Sequence, residues 1–163
     1  MARFASTVES STALVATAPS GGTANSLFAN LVLTAAATAK IRRVTLGVRA
    51  GTGAPTSQQV TVATVRTTAR GTQSTAQTPA KLDPNSAASN ASVDVAWSAV
   101  PTATWTAPYF YEVSFNTQSG VDLPWELLEE LLLQGSGNGL AFINVGNALP
   151  TAHLYTMAIE WEE

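Results

Sequence analysis

The chain contains no cysteine and one histidine, His153, in 163 residues. Without cysteine there is no disulfide, no thiolate nucleophile and no cysteine-ligated metal. One histidine without a spaced partner does not make a zinc site, so His153 reads as structural. Charged residues are scarce, at 12%. No apolar run approaches the roughly 18 residues of a membrane-spanning helix, and the opening MARFASTVESS has no continuous apolar stretch of the secretory kind. The chain also lacks a Gly-x-Ser-x-Gly nucleophile elbow, an EF-hand loop and a Gly-rich phosphate loop leading into a helix. Large apolar residues are few. Leu, Ile, Val and Phe make up about 23% of the chain, just above the level at which disorder is expected. Much of the 45% hydrophobic content is alanine, which buries little area per residue. A core is expected, but a thin one, and a thin core favours subunit contacts that bury more apolar surface.

Charge is unevenly distributed. Residues 1–81 hold all eight Lys and Arg and one acid, a net of +7, and residues 82–163 hold the other ten acids, a net of −10. Such asymmetry can mark a nucleic-acid surface. Yet the basic residues are dispersed, and the densest cluster, Lys40-Ile41-Arg42-Arg43, has no aromatic neighbours for stacking. Pairing of basic with acidic strands in one sheet, or across a subunit interface, is the expectation, and nucleic acid is not an expected partner.

The patterning that is present is that of strands. Val44, Leu46 and Val48 alternate with Arg43, Thr45, Gly47 and Arg49, the period of a half-buried strand. Residues 31–39 read as a strand and turn. Residues 59–68 form another strand, with Val60 and Val62 on one face and Val65 out of phase, which signals a bulge or a change of partner. Residues 69–92 are a long polar connection. Val93, Val95 and Trp97 mark a further strand, and Tyr109, Tyr111, Val113 and Phe115 share a face of the strongest one. Asp122, Pro124 and Gly135 carry helix start and stop signals, so one helical turn at 124–128 is expected before a strand. That strand and residues 140–145 flank the turn Gly135-Ser136-Gly137-Asn138-Gly139 and read as a hairpin. The last strand sets Tyr155, Met157, Ile159 and Trp161 on one face. The fold class is therefore all-β, a sandwich of about eight strands over residues 26–163. Its short strands and long end loops point to a jelly roll. Residues 1–25, rich in Ala, Ser, Thr and Gly, read as an extended N-terminal arm of weak strand character, with a short strand starting at Phe4 and Val8, that packs either on its own domain or on a neighbour.

Converging titratable groups, the basis of a catalytic site, are hard to find. Glu126, Glu129 and Glu130 are close in sequence, and paired carboxylates can hydrolyse glycosides, but acids on a turn or edge strand are ordinarily solvated. No catalytic residue, metal or cofactor is expected. Trp97 and Tyr111, in strands, are expected in the core. Trp105 and Trp125, in connections, are candidates for partner contact, since aromatics are enriched at interfaces. Phe4 and Val8 of the arm and Arg42 and Arg43 of the basic strand complete the partner-contact candidates.

Several segments carry a resemblance: Arg42-Arg43-Val44-Thr45-Leu46-Gly47-Val48-Arg49-Ala50-Gly51, Thr78-Pro79-Ala80-Lys81-Leu82-Asp83-Pro84, Gly137-Asn138-Gly139-Leu140-Ala141 and Ala158-Ile159-Glu160-Trp161-Glu162-Glu163. In these the chain resembles the small jelly-roll decoration, or cement, proteins of tailed bacteriophage capsids, over about residues 30–163. The resemblance implies a non-enzymatic virion protein made in the host cytoplasm. It would form a homotrimer on the outer capsid surface, bound to the major capsid protein and stabilising the head. The alternatives are a tail or head-fibre sandwich that binds a host receptor or glycan, a bacterial hydrolase or lectin module, and a host-derived trimeric ligand-like domain.

Overall fold

Alternating burial along the last ten-residue strand, His153–Glu162, sets the frame of the molecule. In a computed structural model, described for residues 1–10, 26–50, 54–126, 129–150 and 152–163, the described residues form thirteen strands and no helix. These are β1 (Arg3–Glu9), β2 (Leu27–Leu33), β3 (Thr38–Ala50), β4 (Gln59–Ala69), β5 (Thr72–Gln77), β6 (Ala80–Lys81), β7 (Ala91–Ala99), β8 (Thr102–Ala103), β9 (Tyr111–Asn116), β10 (Val121–Pro124), β11 (Leu131–Gln134), β12 (Gly139–Asn144) and β13 (His153–Glu162). They make two antiparallel sheets packed as a sandwich. The first runs β10-β3-β13-β1-β6, with β11 also on β3. The second runs β5-β7-β2-β12-β4-β8, with β9 also on β4. Leaving out β5–β8, the order is β1-β13-β3-β10/β11 against β2-β12-β4-β9, which is compatible with a jelly roll.

The main core lies between the sheets. β13 contributes Tyr155, Met157, Ile159 and Trp161, all at most 1% exposed, as its alternation predicts. Tyr155 stacks on Phe28 at 4.8 Å between ring centroids, and Trp161 stacks on Phe4 at 5.9 Å. A second, smaller apolar cluster holds Leu27, Ala63, Val65, Ala141 and Ile143. Ala141 and Ile143 alternate along β12 with Leu140 and Phe142 of the main core, so this cluster is on the outer face of the second sheet. Trp97, Val100, Trp105 and Tyr109 pack against it from outside.

One sequence expectation, the arm, is refined, and three are corrected. Residues 3–9 of the expected arm are a sandwich strand, β1, hydrogen-bonded between β13 and β6; residues 11–25 lie outside the described residues. The Gly-rich turn does not close a hairpin. It carries the chain from β11 in the first sheet to β12 in the second, with Gly135 and Gly137 at φ of 88° and 83°, which glycine adopts without strain. This corner is tied to the β2–β3 corner through Gly137 N–H to Leu33 O (2.8 Å) and Gly135 N–H to Ala37 O (3.0 Å). The polar connection at 69–92 contains β5 and β6 and leads into β7. Tyr111, expected in the core, is 40% exposed at the start of β9.

Two local readings need finer statement. Val65 marks a change of partner: β9 pairs with residues 59–64 of β4, and β8 with residues 67 and 69. The helical turn expected at 124–128 falls partly on residues 127 and 128, outside the described residues. Around them Trp125 N–H donates to Arg42 O, continuing the line of β10, and Glu129 N–H donates to Glu126 O at 3.1 Å.

Candidate functional site

The partner-contact candidates are distributed over different parts of the sandwich. Phe4 and Val8 are 1% and 3% exposed in the main core. Their contact with a partner is thereby corrected: β1 is paired on both edges and turns these two side chains inward.

Arg42 and Arg43 are adjacent on β3, and both are engaged within the first sheet. The Arg42 guanidinium reaches Glu130 through Nη1 and Glu162 through Nη2, the latter at 2.6 Å. The hydrogen bond that Arg42 donates to Glu162 outweighs loss of hydration and holds Arg42 above its ordinary pKa; the same bond holds Glu162 below its own. Glu130 is also lowered: burial alone would raise it, but a backbone N–H and Arg42 outweigh that. Arg43 makes a bidentate pair with Asp122, Nε to Oδ1 at 2.8 Å and Nη2 to Oδ2 at 2.7 Å, and this hydrogen bonding lowers the aspartate pKa.

The charge split of the sequence becomes pairing within the sheets. Arg3 lies 3.5 Å from Glu160, Arg49 2.9 Å from Glu9, and Arg70 2.6 Å from the fully buried Asp94. Only Arg49 among these pairs takes an acid from its own half of the sequence. The expectation that basic strands lie beside acidic ones holds, and the pairs formed within the chain account for it.

The three clustered glutamates separate. Glu130 turns to Arg42, while Glu126 and Glu129 are exposed. His153 is buried, with Thr56 N–H 3.4 Å from its Nε2. Among the described residues no three His, Asp or Glu come together as metal ligands would. The Glu163 carboxylate accepts hydrogen bonds from Trp161 Nε1 (2.9 Å), Asn90 N–H (2.7 Å) and the Ser89 hydroxyl, tying the polar connection to the end of β13.

Two of the concavities among the described residues bear on binding. The larger, about 630 Å³, lies on the outer face of the first sheet; Thr7, Thr45, Gly47, Thr156 and Ala158 floor it and the 117–120 turn forms a wall. The second, about 560 Å³, occupies the gap between β8 and β9 along β4 and is lined by Arg66, Thr102, Thr104, Tyr109 and Phe110. Trp105 is half-buried nearby against the outer apolar cluster.

An exposed aromatic edge adjoins the second concavity. Arg66 of β4 sits over the Phe110 ring at 4.4 Å and donates to the Leu132 carbonyl of β11 at 2.8 Å, joining the edges of the two sheets. Phe110 and Leu132 are 45% and 42% exposed, and Tyr111 meets half-buried Trp125 edge-on at 5.8 Å. Sequence reasoning singled out Trp105 and Trp125 but missed Phe110, Leu132 and Arg66. Phe110 and Leu132 each sit in an apolar run that reads as core, and only the position of their strands at the sheet margin exposes them.

Comparison of the chain with known protein families, curated proteins and solved structures finds no match.

Proposed function

We propose that the chain is a non-enzymatic virion structural protein, a capsid decoration or cement protein that binds the major capsid protein and stabilises a phage head. The observation that carries this reading is the arrangement of three of the four segments in which the chain resembles such proteins; the fourth, residues 137–141, leads into β12 of the other sheet. Residues 42–50 run along β3, residues 158–163 along β13, and residues 78–84 span β6. β3, β13, β1 and β6 are successive neighbours in one sheet, so segments far apart in sequence form one continuous surface. A cement protein needs a preformed face of this kind, because it acts by binding the assembled shell and adding that binding free energy to the assembled state alone. The ion pairs of Arg42, Arg43 and Arg49 hold the sheet's outward side chains in fixed positions, which lowers the ordering cost of docking. Homotrimeric assembly and a place on the outer capsid surface belong to the same proposal.

Titrating purified protein onto capsid shells that lack it tests the reading. Saturable binding, with a rise in the shell's melting temperature, is expected. Failure to bind shells that remain competent for their other components overturns it.

The concavity beside Tyr109 and Phe110 favours a second reading, a fibre sandwich that binds a host glycan. An aromatic ring, a guanidinium and threonine hydroxyls on one wall suit a sugar face and its hydroxyls. A glycan array separates the two: binding lost in Tyr109→Ala and Phe110→Ala supports the fibre reading.

A further inference from the structure

Among the described residues both lateral edges of the sandwich are open, and their chemistry differs. At one edge lie β8 and β9 of the second sheet with β10 and β11 of the first; at the other lie β5 and β6. The first edge carries the contiguous exposed side chains Phe110, Tyr111 and Leu132, backed by Trp125. It also carries Glu112, Glu126 and Glu129, which are exposed and make no ion pair among the described residues. Arg66 is committed there to Phe110 and the Leu132 carbonyl, and Lys40 lies one strand further in.

The opposite edge has the complementary features. Leu82 is 49% exposed immediately after β6. Beside it Lys81 is exposed and makes no ion pair among the described residues, and Arg3, whose carbonyl accepts from Leu82 N–H, is about half exposed and already lies 3.5 Å from Glu160 and 3.7 Å from Glu162. Asp83 also lies here, but its Oδ1 takes the Asn85 N–H. β5, Thr-Gln-Ser-Thr-Ala-Gln, is exposed along almost its whole length and pairs on one side only, with β7. It has no charge and no proline, two of the devices that ordinarily protect an edge strand from pairing with another chain, although its register against β7 shifts at three points.

We infer that a second copy of this chain covers each edge head-to-tail, with the aromatic, acidic β9–β11 edge of one subunit seated against the β5–β6 edge of the next. A surface that meets a different surface of its partner is heterologous, and copies joined in this way close into a ring when the rotation permits. Phe110, Tyr111 and Leu132 then bury against Leu82, while Glu112 and Glu126 face Lys81. The open backbone edge of β5 is covered in the same step, and the thin core gains apolar burial. This assignment deepens the proposed function by naming the surfaces through which copies associate, yet it needs no capsid to be tested.

Light scattering on the purified chain is the first measurement. A mass of three or more copies is expected; a monomer, or a dimer that grows no further, overturns the inference. Two variants then test which edges meet. Phe110→Asp with Leu132→Asp disables one edge, and Leu82→Asp with Lys81→Glu disables the other; each is expected to be a folded monomer. Mixed together, they retain one intact edge of each kind and are expected to form a one-to-one heterodimer. Recovery of no complex overturns the head-to-tail arrangement, because a symmetric contact through one edge gives that result. If the ring forms but does not bind shells, the capsid reading fails while the edge assignment stands.

Discussion

Phe4 distinguishes an arm from a strand. It is 1% exposed and stacks on Trp161, so Phe4→Ala is expected to cost about 3–5 kcal/mol, the range for deleting a buried aromatic ring. Urea unfolding checks this, and an unchanged midpoint would return the residue to a free arm. Asp94 is fully buried and held by Arg70 through two hydrogen bonds. Asp94→Ala is expected to cost roughly 3 kcal/mol, the low end for breaking a buried pair, since Arg70 keeps some contact with water. Arg42 supplies a pH signature. Glu162, Glu130 and Asp122 all have folded pKa values below their ordinary values of 4.5, 4.5 and 3.8. Their contribution is therefore fully present above those values and is lost as pH falls through the lower folded ones. Arg42→Gln removes the partner of Glu162 and Glu130, so the stability gap between wild type and variant is expected to be widest near neutrality and to close below about pH 4.5. Denaturant titrations across pH measure that gap; one that stays constant contradicts the assignment. The strand character of β1 was legible only weakly, at Phe4 and Val8, because Ser6 occupies the inward position between them and interrupts the apolar alternation.

At the scale of elements, the corner from β11 to β12 turns on close approach at Gly139. A Cβ there would lie 2.6 Å from Leu31 O and 2.7 Å from Thr67 Oγ1. Gly139→Ala must push backbone apart and is expected to cost about 1–3 kcal/mol; thermal unfolding checks it, and a neutral result would mean that the corner yields. The strands with the cleanest alternation in the sequence were β3 and β13, each with one face in the core and the other outward, and β4, β7 and β9 were also legible as strands. β2 and β12 are buried on both faces, and β5 is exposed on both, so neither kind carries a period-2 signal. The hairpin expected at 135–139 failed for a related reason. A Gly-rich turn between two apolar runs permits reversal of the chain, but the choice between closing a hairpin and crossing to the other sheet is made by the partners each strand finds. Here β3 takes β11, and β2 with β4 take β12. The exposed edge went unread in the same way, because Phe110 and Leu132 have the composition of core and the location of a margin.

For the whole molecule, the charge split proved to be internal bookkeeping between strands, and what it leaves unpaired is concentrated at the two edges. Lateral association and capsid decoration then form one account. In that account the edges would join copies to each other, and the outer face built from β3, β13, β1 and β6 would be left to meet the shell. The sandwich and its inward stripe at Tyr155, Met157, Ile159 and Trp161 could be read in advance, whereas the edge surfaces required the sheet order. Fold alone supports many functions, so the decisive observation is the position of the protein in its particle. A cryo-EM map of the native virion is predicted to contain this sandwich on the outer surface of the head, in contact with the major capsid protein and with copies of itself. A map in which the sandwich is found only on the tail or fibres, or is absent from the particle, would contradict the account.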